Sequence, residues 1–132
     1  MKILFYFSAF IVLNAHNCSK TTEFINIKFG EGGGFTGALI EYEIQANGDV
    51  FRNTSINKEH TKIKTLTKSD IKEIKSRKNK ISVETYSFNR PGNLYYFIET
   101  DNKKITWGDP TFKEPKEIKE LYEQLNKIVS TK

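Results

Sequence analysis

The chain has 132 residues, a formal net charge of +5 and a single cysteine. A length in this range predicts one domain with one core, and one cysteine excludes an intramolecular disulfide, so packing has to supply the stability. The mild excess of basic residues suits an acidic protein partner or an anionic lipid surface.

The first segment has the pattern of an export signal. Lys2 is followed by an uninterrupted apolar run from Ile3 to Leu13. This run is shorter than the roughly 20 residues that span a bilayer, and it is typical of a secretory signal peptide. We therefore expect the chain to be exported, and export makes nucleic acid a poor partner.

Cys18 follows the apolar run closely. The arrangement resembles a bacterial lipoprotein signal, in which signal peptidase II cleaves before a cysteine that then carries lipid. Ala15 suits that pattern, whereas His16 and Asn17 depart from it. The alternative is ordinary cleavage after Ala15, which leaves Cys18 as a free thiol. We favour lipidation, because an unpaired cysteine in an exported protein invites oxidation or cross-linking.

These features divide the chain into three parts. We predict a signal peptide over residues 1–17, a polar tether over 18–23 and a single α+β domain over 24–132. The lipid on Cys18 would anchor the domain in the membrane of the bacterial cell envelope, with the outer membrane as the expected location.

The domain begins with segments that alternate between apolar and polar residues. "FINIKF" and "ALIEYEIQA" both have the period of two that predicts a half-buried strand. Asn47-Gly48 then predicts a hairpin turn, because both residue types tolerate positive φ, and "VFRNTSI" is the returning strand. The segment "NKEHTKIKTLT" is ambiguous and is compatible with a short further strand.

The second half alternates helix, strands and helix. Thr67 and Asp70 have the spacing of a capping box, so a helix is predicted over "KSDIKEIKSRKNK". "LYYFIET" and "ITWGD" are predicted strands after a Pro91-Gly92 turn, and "EPKEIKELYEQLNKIV" has the period of an amphipathic helix. We expect an antiparallel sheet of four to five strands with both helices packed on one face.

The glycine run between the first two strands contains a string that is typical of nucleotide sites. Gly32, Gly34 and Gly37 match G-x-G-x-x-G, but that motif requires a helix to follow, and the residues after Gly37 predict a strand. A phosphate loop is excluded as well, because Phe35 and Thr36 follow Gly34 in place of Lys-Ser/Thr.

The run is therefore predicted to be a loop between strands that displays Phe35 and Thr36. Two interpretations stay open. The glycines give a bend that has only a structural role, or the loop is a contact surface. In the second case the candidate binding residues are Gly33, Gly34, Phe35, Thr36 and Gly37.

Catalytic and metal-binding patterns are sparse. His60 is the single histidine after the leader, and the sequence has no H-E-x-x-H, C-x-x-C or G-x-S-x-G motif. Glu41 and Glu43 share a strand face, but that face is expected to be solvated. We therefore predict no catalytic residue, no metal site and no cofactor, and a protein that is not an enzyme.

Two further clusters have a structural and a functional interpretation. The basic run of the first helix, with Lys72 and Arg77, suits a solvated face, or alternatively contact with anionic head groups or an acidic protein. Tyr95 and Phe97 should face one side of the sheet and Tyr96 the other. We expect most of these rings in the core; the alternative is a platform at Trp107 that stacks on glycans or peptides.

The "GGF-small-G" loop formed by Gly33, Gly34, Phe35 and Gly37, with the order of the elements around it, resembles the emfourin group. Founding members of this group of small bacterial proteins inhibit thermolysin-like metallopeptidases. The chain is also similar to small Bacteroidetes lipoproteins of unassigned function that carry "GGGFTG" and "PGNLYYF…WGD" segments. The resemblance implies a binding protein, with a secreted metallopeptidase as one expected partner.

Overall fold

A computed structural model describes residues 26–81, 83–100 and 103–131. Its strands form one six-stranded antiparallel sheet in the order β4-β3-β2-β1-β5-β6. The strands are β1 (Ile27–Gly33), β2 (Ala38–Ile44), β3 (Asp49–Thr54), β4 (Glu59–Thr65), β5 (Leu94–Thr100) and β6 (Lys103–Trp107). The helices are α1 (Lys68–Ile81) and α2 (Lys116–Ser130), and a short 3-10 turn covers Val83–Thr85.

The predicted α+β class is confirmed, while the strand count is corrected from four or five to six. The ambiguous segment after the second hairpin forms β4, a complete strand at the edge of the sheet. Its residues are mostly exposed, so it lacks the alternation of buried and exposed positions that marks a half-buried strand. Pairing with β3, and not a hydrophobic pattern, makes this segment a strand.

The core lies between one face of the sheet and the two helices. Alternate residues of β1, such as Ile27 and Phe29, are buried there, and the next strand adds Ile44. The helices contribute Ile74 from α1 and Ile118, Leu121, Leu125 and Val129 from α2. Because these residues form one continuous cluster, both helices pack on the same face, as predicted from the order of the elements.

Local signals in the sequence are confirmed at two junctions. The hydroxyl Oγ1 of Thr67 accepts a hydrogen bond from the Asp70 backbone N–H at 3.1 Å, and the Thr67 N–H donates to the Asp70 carboxylate at 3.1 Å, which is a reciprocal capping box. The hydroxyl of Thr67 also donates to that carboxylate at 2.7 Å. At the β2–β3 turn, Gly48 has φ of +87°, the conformation that Asn-Gly turns provide.

The C-terminal end of α2 is tied to the edge strand. The ammonium group of Lys64 in β4 donates to the backbone carbonyls of Ile128 at 2.8 Å and Thr131 at 2.6 Å. A cation at this end of a helix also complements the helix dipole. Within the described ranges, the structure contains no helix of the length and apolar character that crossing a bilayer requires.

Candidate functional site

The antiparallel order brings several turns to one end of the sheet. The β1–β2 turn (34–37), the β3–β4 turn (55–58) and the segment 92–93 before β5 lie together there, because Gly33 pairs with both Ala38 and Leu94, and Ile40 pairs with Thr54. We call this set of three segments the hairpin end. The other end holds the β2–β3 turn and Ile27, where β1 begins.

The turn between β1 and β2 covers only the second half of the glycine-rich stretch that the sequence predicts to be a loop. Gly30, Gly32 and Gly33 belong to β1, so the run is half strand, and only residues 34–37 form the turn. A Cβ at Gly32 would collide with the Tyr95 ring, whose hydroxyl oxygen would lie 2.5 Å away. This glycine therefore makes room for an aromatic side chain on the face of the sheet opposite the core.

The turn that displays Phe35 has a defined conformation. Gly33, Gly34 and Gly37 have φ of +93°, +69° and +63°, a region that L side chains rarely adopt. The Gly37 N–H donates to the Gly34 carbonyl at 3.3 Å and closes the turn. At its tip the side chain of Phe35 is fully exposed, and Thr36 is also exposed.

A second segment fixes this turn. The Gly34 N–H donates to the Asn93 carbonyl at 2.6 Å, and a Cβ at Gly33 would lie on that same carbonyl oxygen. A Cβ at Gly92, next to Asn93, would collide with the Gly108 carbonyl oxygen, and a Cβ at Gly108 would collide with the Leu94 carbonyl oxygen, so neither glycine has room for a side chain. The segments "GGGFTG", "PGN" and "WGD", which are far apart in sequence, therefore meet at the hairpin end.

The β3–β4 turn carries another exposed apolar side chain, which the sequence interpretation missed. Ile56 is 69% exposed at its tip. The Ser55 N–H donates to the Leu39 carbonyl at 3.0 Å, and the Leu39 N–H donates to the Ser55 hydroxyl at 2.8 Å. The only available signal was an isoleucine within the polar stretch "NTSINK", which alternation alone assigns to a strand.

Trp107 lies in the core, and this corrects its prediction as a binding residue. It is 5% exposed, and its ring packs edge-on against Tyr122 of α2 with centroids 5.3 Å apart and against Tyr96 at 6.0 Å. Burial is also the main factor that raises the pKa of Tyr122 to about 12. A stacking platform needs an exposed ring, so Trp107 does not offer one.

The other rings of β5 follow the predicted alternation. Tyr96 faces the helices, while Phe97 is fully buried on the opposite face, where the Lys104 ammonium group lies 4.3 Å from its ring centroid. A cation over a ring face is a favourable arrangement. The aromatic residues predicted for the platform are therefore structural in this part of the sheet.

His60 and Glu41 belong to a polar network on the open face of the sheet. The His60 ring stacks on Phe51 with centroids 4.7 Å apart, and its Nδ1 is hydrogen-bonded to the Asn53 side chain. Asn53 in turn donates to Glu41 at 3.0 Å, and Lys28 lies 4.0 Å from the same carboxylate. These contacts link four adjacent strands. In the described ranges, no three His, Cys, Asp or Glu side chains are grouped to hold a metal ion.

One of the basic residues of α1 has an acidic neighbour on the same helix. Arg77 lies 3.8 Å from Glu73 one turn earlier, and Lys72 and Lys80 are exposed. A solvated helix face accounts for this arrangement.

Comparisons with known proteins do not assign the chain to a family. No protein-family model matches the chain, and a search of curated proteins found no match. The predicted signal peptide, the tether and Cys18 lie outside the described residues.

Proposed function

We propose that this chain is a non-enzymatic binding domain that is exported and held at the cell envelope by a lipid on Cys18. It contacts a protein partner through the β1–β2 turn and Phe35. Its partner is a secreted metallopeptidase of the thermolysin type, the class that the emfourin resemblance implies, and binding inhibits that enzyme.

The observation that carries the proposal is the position of Phe35. A fully exposed phenylalanine stands at the tip of a turn whose conformation is set by three glycines with positive φ and by the bond to Asn93. Burial of such a ring against a partner contributes about 2–3 kcal/mol. Because the turn is already ordered, less conformational entropy is lost on binding.

An inhibition assay tests this function. The soluble domain, residues 19–132, is mixed with a thermolysin-like metallopeptidase, and peptide hydrolysis is followed. We expect inhibition at micromolar domain, weakened at least about thirtyfold by Phe35→Ala, the loss seen at an interface hot spot. Ile63→Ala is the matched control, since it shortens an exposed apolar side chain (40% exposed) on β4, outside the hairpin end.

Two results would contradict the proposal. Full peptidase activity at micromolar domain would remove this enzyme class as the target, and equal inhibition by wild type and Phe35→Ala would remove the turn as the contact. The same assay without the peptidase measures hydrolysis by the domain itself. Turnover that disappears in His60→Ala would replace the proposed binding function with a catalytic one.

The anchor has a separate test. Intact mass of the protein from its native membrane should show a diacyl or triacyl adduct on Cys18. Cys18→Ser should release the domain into the soluble fraction. An unmodified thiol at Cys18 in the mature protein would show ordinary cleavage after Ala15 instead.

A further inference from the structure

The hairpin end has two tips that each present a large apolar side chain. Phe35 is fully exposed on the β1–β2 turn and Ile56 is 69% exposed on the β3–β4 turn. Strands β2 and β3 are neighbours, so the midlines of the two hairpins are two strand spacings apart, roughly 10 Å. Both side chains lie at the same end of one sheet.

The two tips are fixed relative to each other. The pair of hydrogen bonds between Ser55 and Leu39 ties the β3–β4 turn to the first residues of β2, directly after the Phe35 turn. Lys58 closes the second turn in a left-handed conformation, with φ of +52°, which a non-glycine residue adopts only when its surroundings impose it. Both tips are therefore ordered before a partner arrives.

The surface beside the Ile56 tip is concave. A recess of about 160 Å³ lies beside Ile56 and is lined by Leu39, Ile40 and Glu59 among others. Two apolar projections beside a recess are complementary to a partner that has apolar depressions separated by a ridge. A folded protein surface provides such a shape, and it provides the well-packed pockets in which aromatic and aliphatic anchors contribute most.

Charges at this end disfavour a lipid surface as the occupant. The two turns contain one charged residue, Lys58; Glu31 and Glu59 flank them in β1 and β4, and Arg52 lines the recess, so acidic and basic residues are balanced here. Segments that insert apolar side chains into anionic membranes combine them with several Lys or Arg residues. In addition, β1 begins at Ile27, about 20 Å along the strand from the Phe35 turn. An anchor on Cys18 therefore does not require this end to face the bilayer.

We infer that Ile56 is a second anchor of the binding surface, and that the two hairpin tips together insert into a folded protein partner with two apolar depressions roughly 10 Å apart. This inference rests on the proposed function, since it extends the contact that Phe35 makes. The β3–β4 hairpin then has the role of presenting Ile56 to the partner.

The test uses the soluble domain, a thermolysin-like metallopeptidase and vesicles of phosphatidylethanolamine and phosphatidylglycerol. Binding is measured for wild type, Phe35→Ala, Ile56→Ala, the double variant and the control Ile63→Ala. We expect each single change at a tip to weaken peptidase binding at least about thirtyfold, and the double variant to weaken it further. Ile63→Ala should bind as wild type, and vesicles should bind none of the proteins.

The outcomes separate the two proposals. If Phe35→Ala weakens peptidase binding while Ile56→Ala behaves like Ile63→Ala, the second anchor is refuted and the proposed function stands. If wild type does not bind the peptidase, both are refuted for this partner. Vesicle binding that is lost on changing Phe35 or Ile56 would make the hairpin end a lipid-insertion surface and overturn the protein partner. Unchanged thermal unfolding of the variants confirms that each is folded.

Discussion

Alanine substitutions at three glycines test whether the Phe35 turn has one fixed backbone conformation or is a flexible bend. Gly34 and Gly37 have similar φ, +69° and +63°, and a Cβ on either would meet no atom within 4 Å. Gly33 has φ of +93°, and a Cβ there would collide with the Asn93 carbonyl. The series thus separates backbone strain alone from strain combined with a collision.

The structure sets the expected order of the effects. A left-handed conformation costs an L-residue about 1–2 kcal/mol, and the smaller freedom of alanine in the unfolded chain offsets about 0.4–1 kcal/mol of this. Gly34→Ala and Gly37→Ala should therefore each lower the free energy of unfolding by about 0–1.6 kcal/mol. Gly33→Ala also displaces the Asn93 carbonyl that accepts the Gly34 N–H, so its loss should reach at least about 2 kcal/mol.

Urea unfolding of the soluble domain, followed by Trp107 fluorescence, measures these differences. Trp107 is the single tryptophan and is buried, so its emission reports loss of the core. In the inhibition assay, Gly33→Ala should also weaken binding, because the tip is no longer held by Asn93. Equal effects at Gly33 and Gly34, or a gain of stability at either, would show that the run is flexible and would refute the argument for an ordered turn.

Three other predictions concern the scaffold, and the free energy of unfolding in urea tests each of them. Thr67→Ala should lose about 1 kcal/mol, the usual worth of an N-cap side chain, and no loss would show that the capping box is not maintained in solution. Hydrogen bonds from Thr67 hold the pKa of Asp70 below the ordinary aspartate value of 3.8. The stability that Asp70 adds is therefore present above that pH and should be lost as the pH falls through the lowered pKa. An Asp70→Asn difference that persists in strong acid would contradict this assignment. Lys64→Met should lose about 1–3 kcal/mol, because the Ile128 and Thr131 carbonyls at the C-terminal end of α2 lose a charged donor. Lys62→Met, which breaks an exposed ion pair with a 2.7 Å N–O distance, should lose less. Equal losses would refute the tie between β4 and α2.

Much of the fold follows from short-range patterns in the sequence. The period of two in β2, the apolar spacing of α2 and the capping box at Thr67 depend on neighbouring residues. They can therefore be predicted without knowing which distant segments pack against them. The same reasoning excluded a nucleotide site at the G-x-G-x-x-G string, because the residues after Gly37 alternate as in a strand. These signals determined the α+β class and placed Phe35 on a turn between two strands.

Tertiary structure decided the features that depend on distant residues. β4 becomes a strand because β3 pairs with it, and Trp107 is buried because Tyr122, from the last helix, covers its ring. Ile56 becomes part of a candidate surface because the meander returns its turn to the end that holds Phe35. Alternation assigns a residue to a face of a strand, but only the order of strands and the position of the helices determine which rings are covered and which tips lie together.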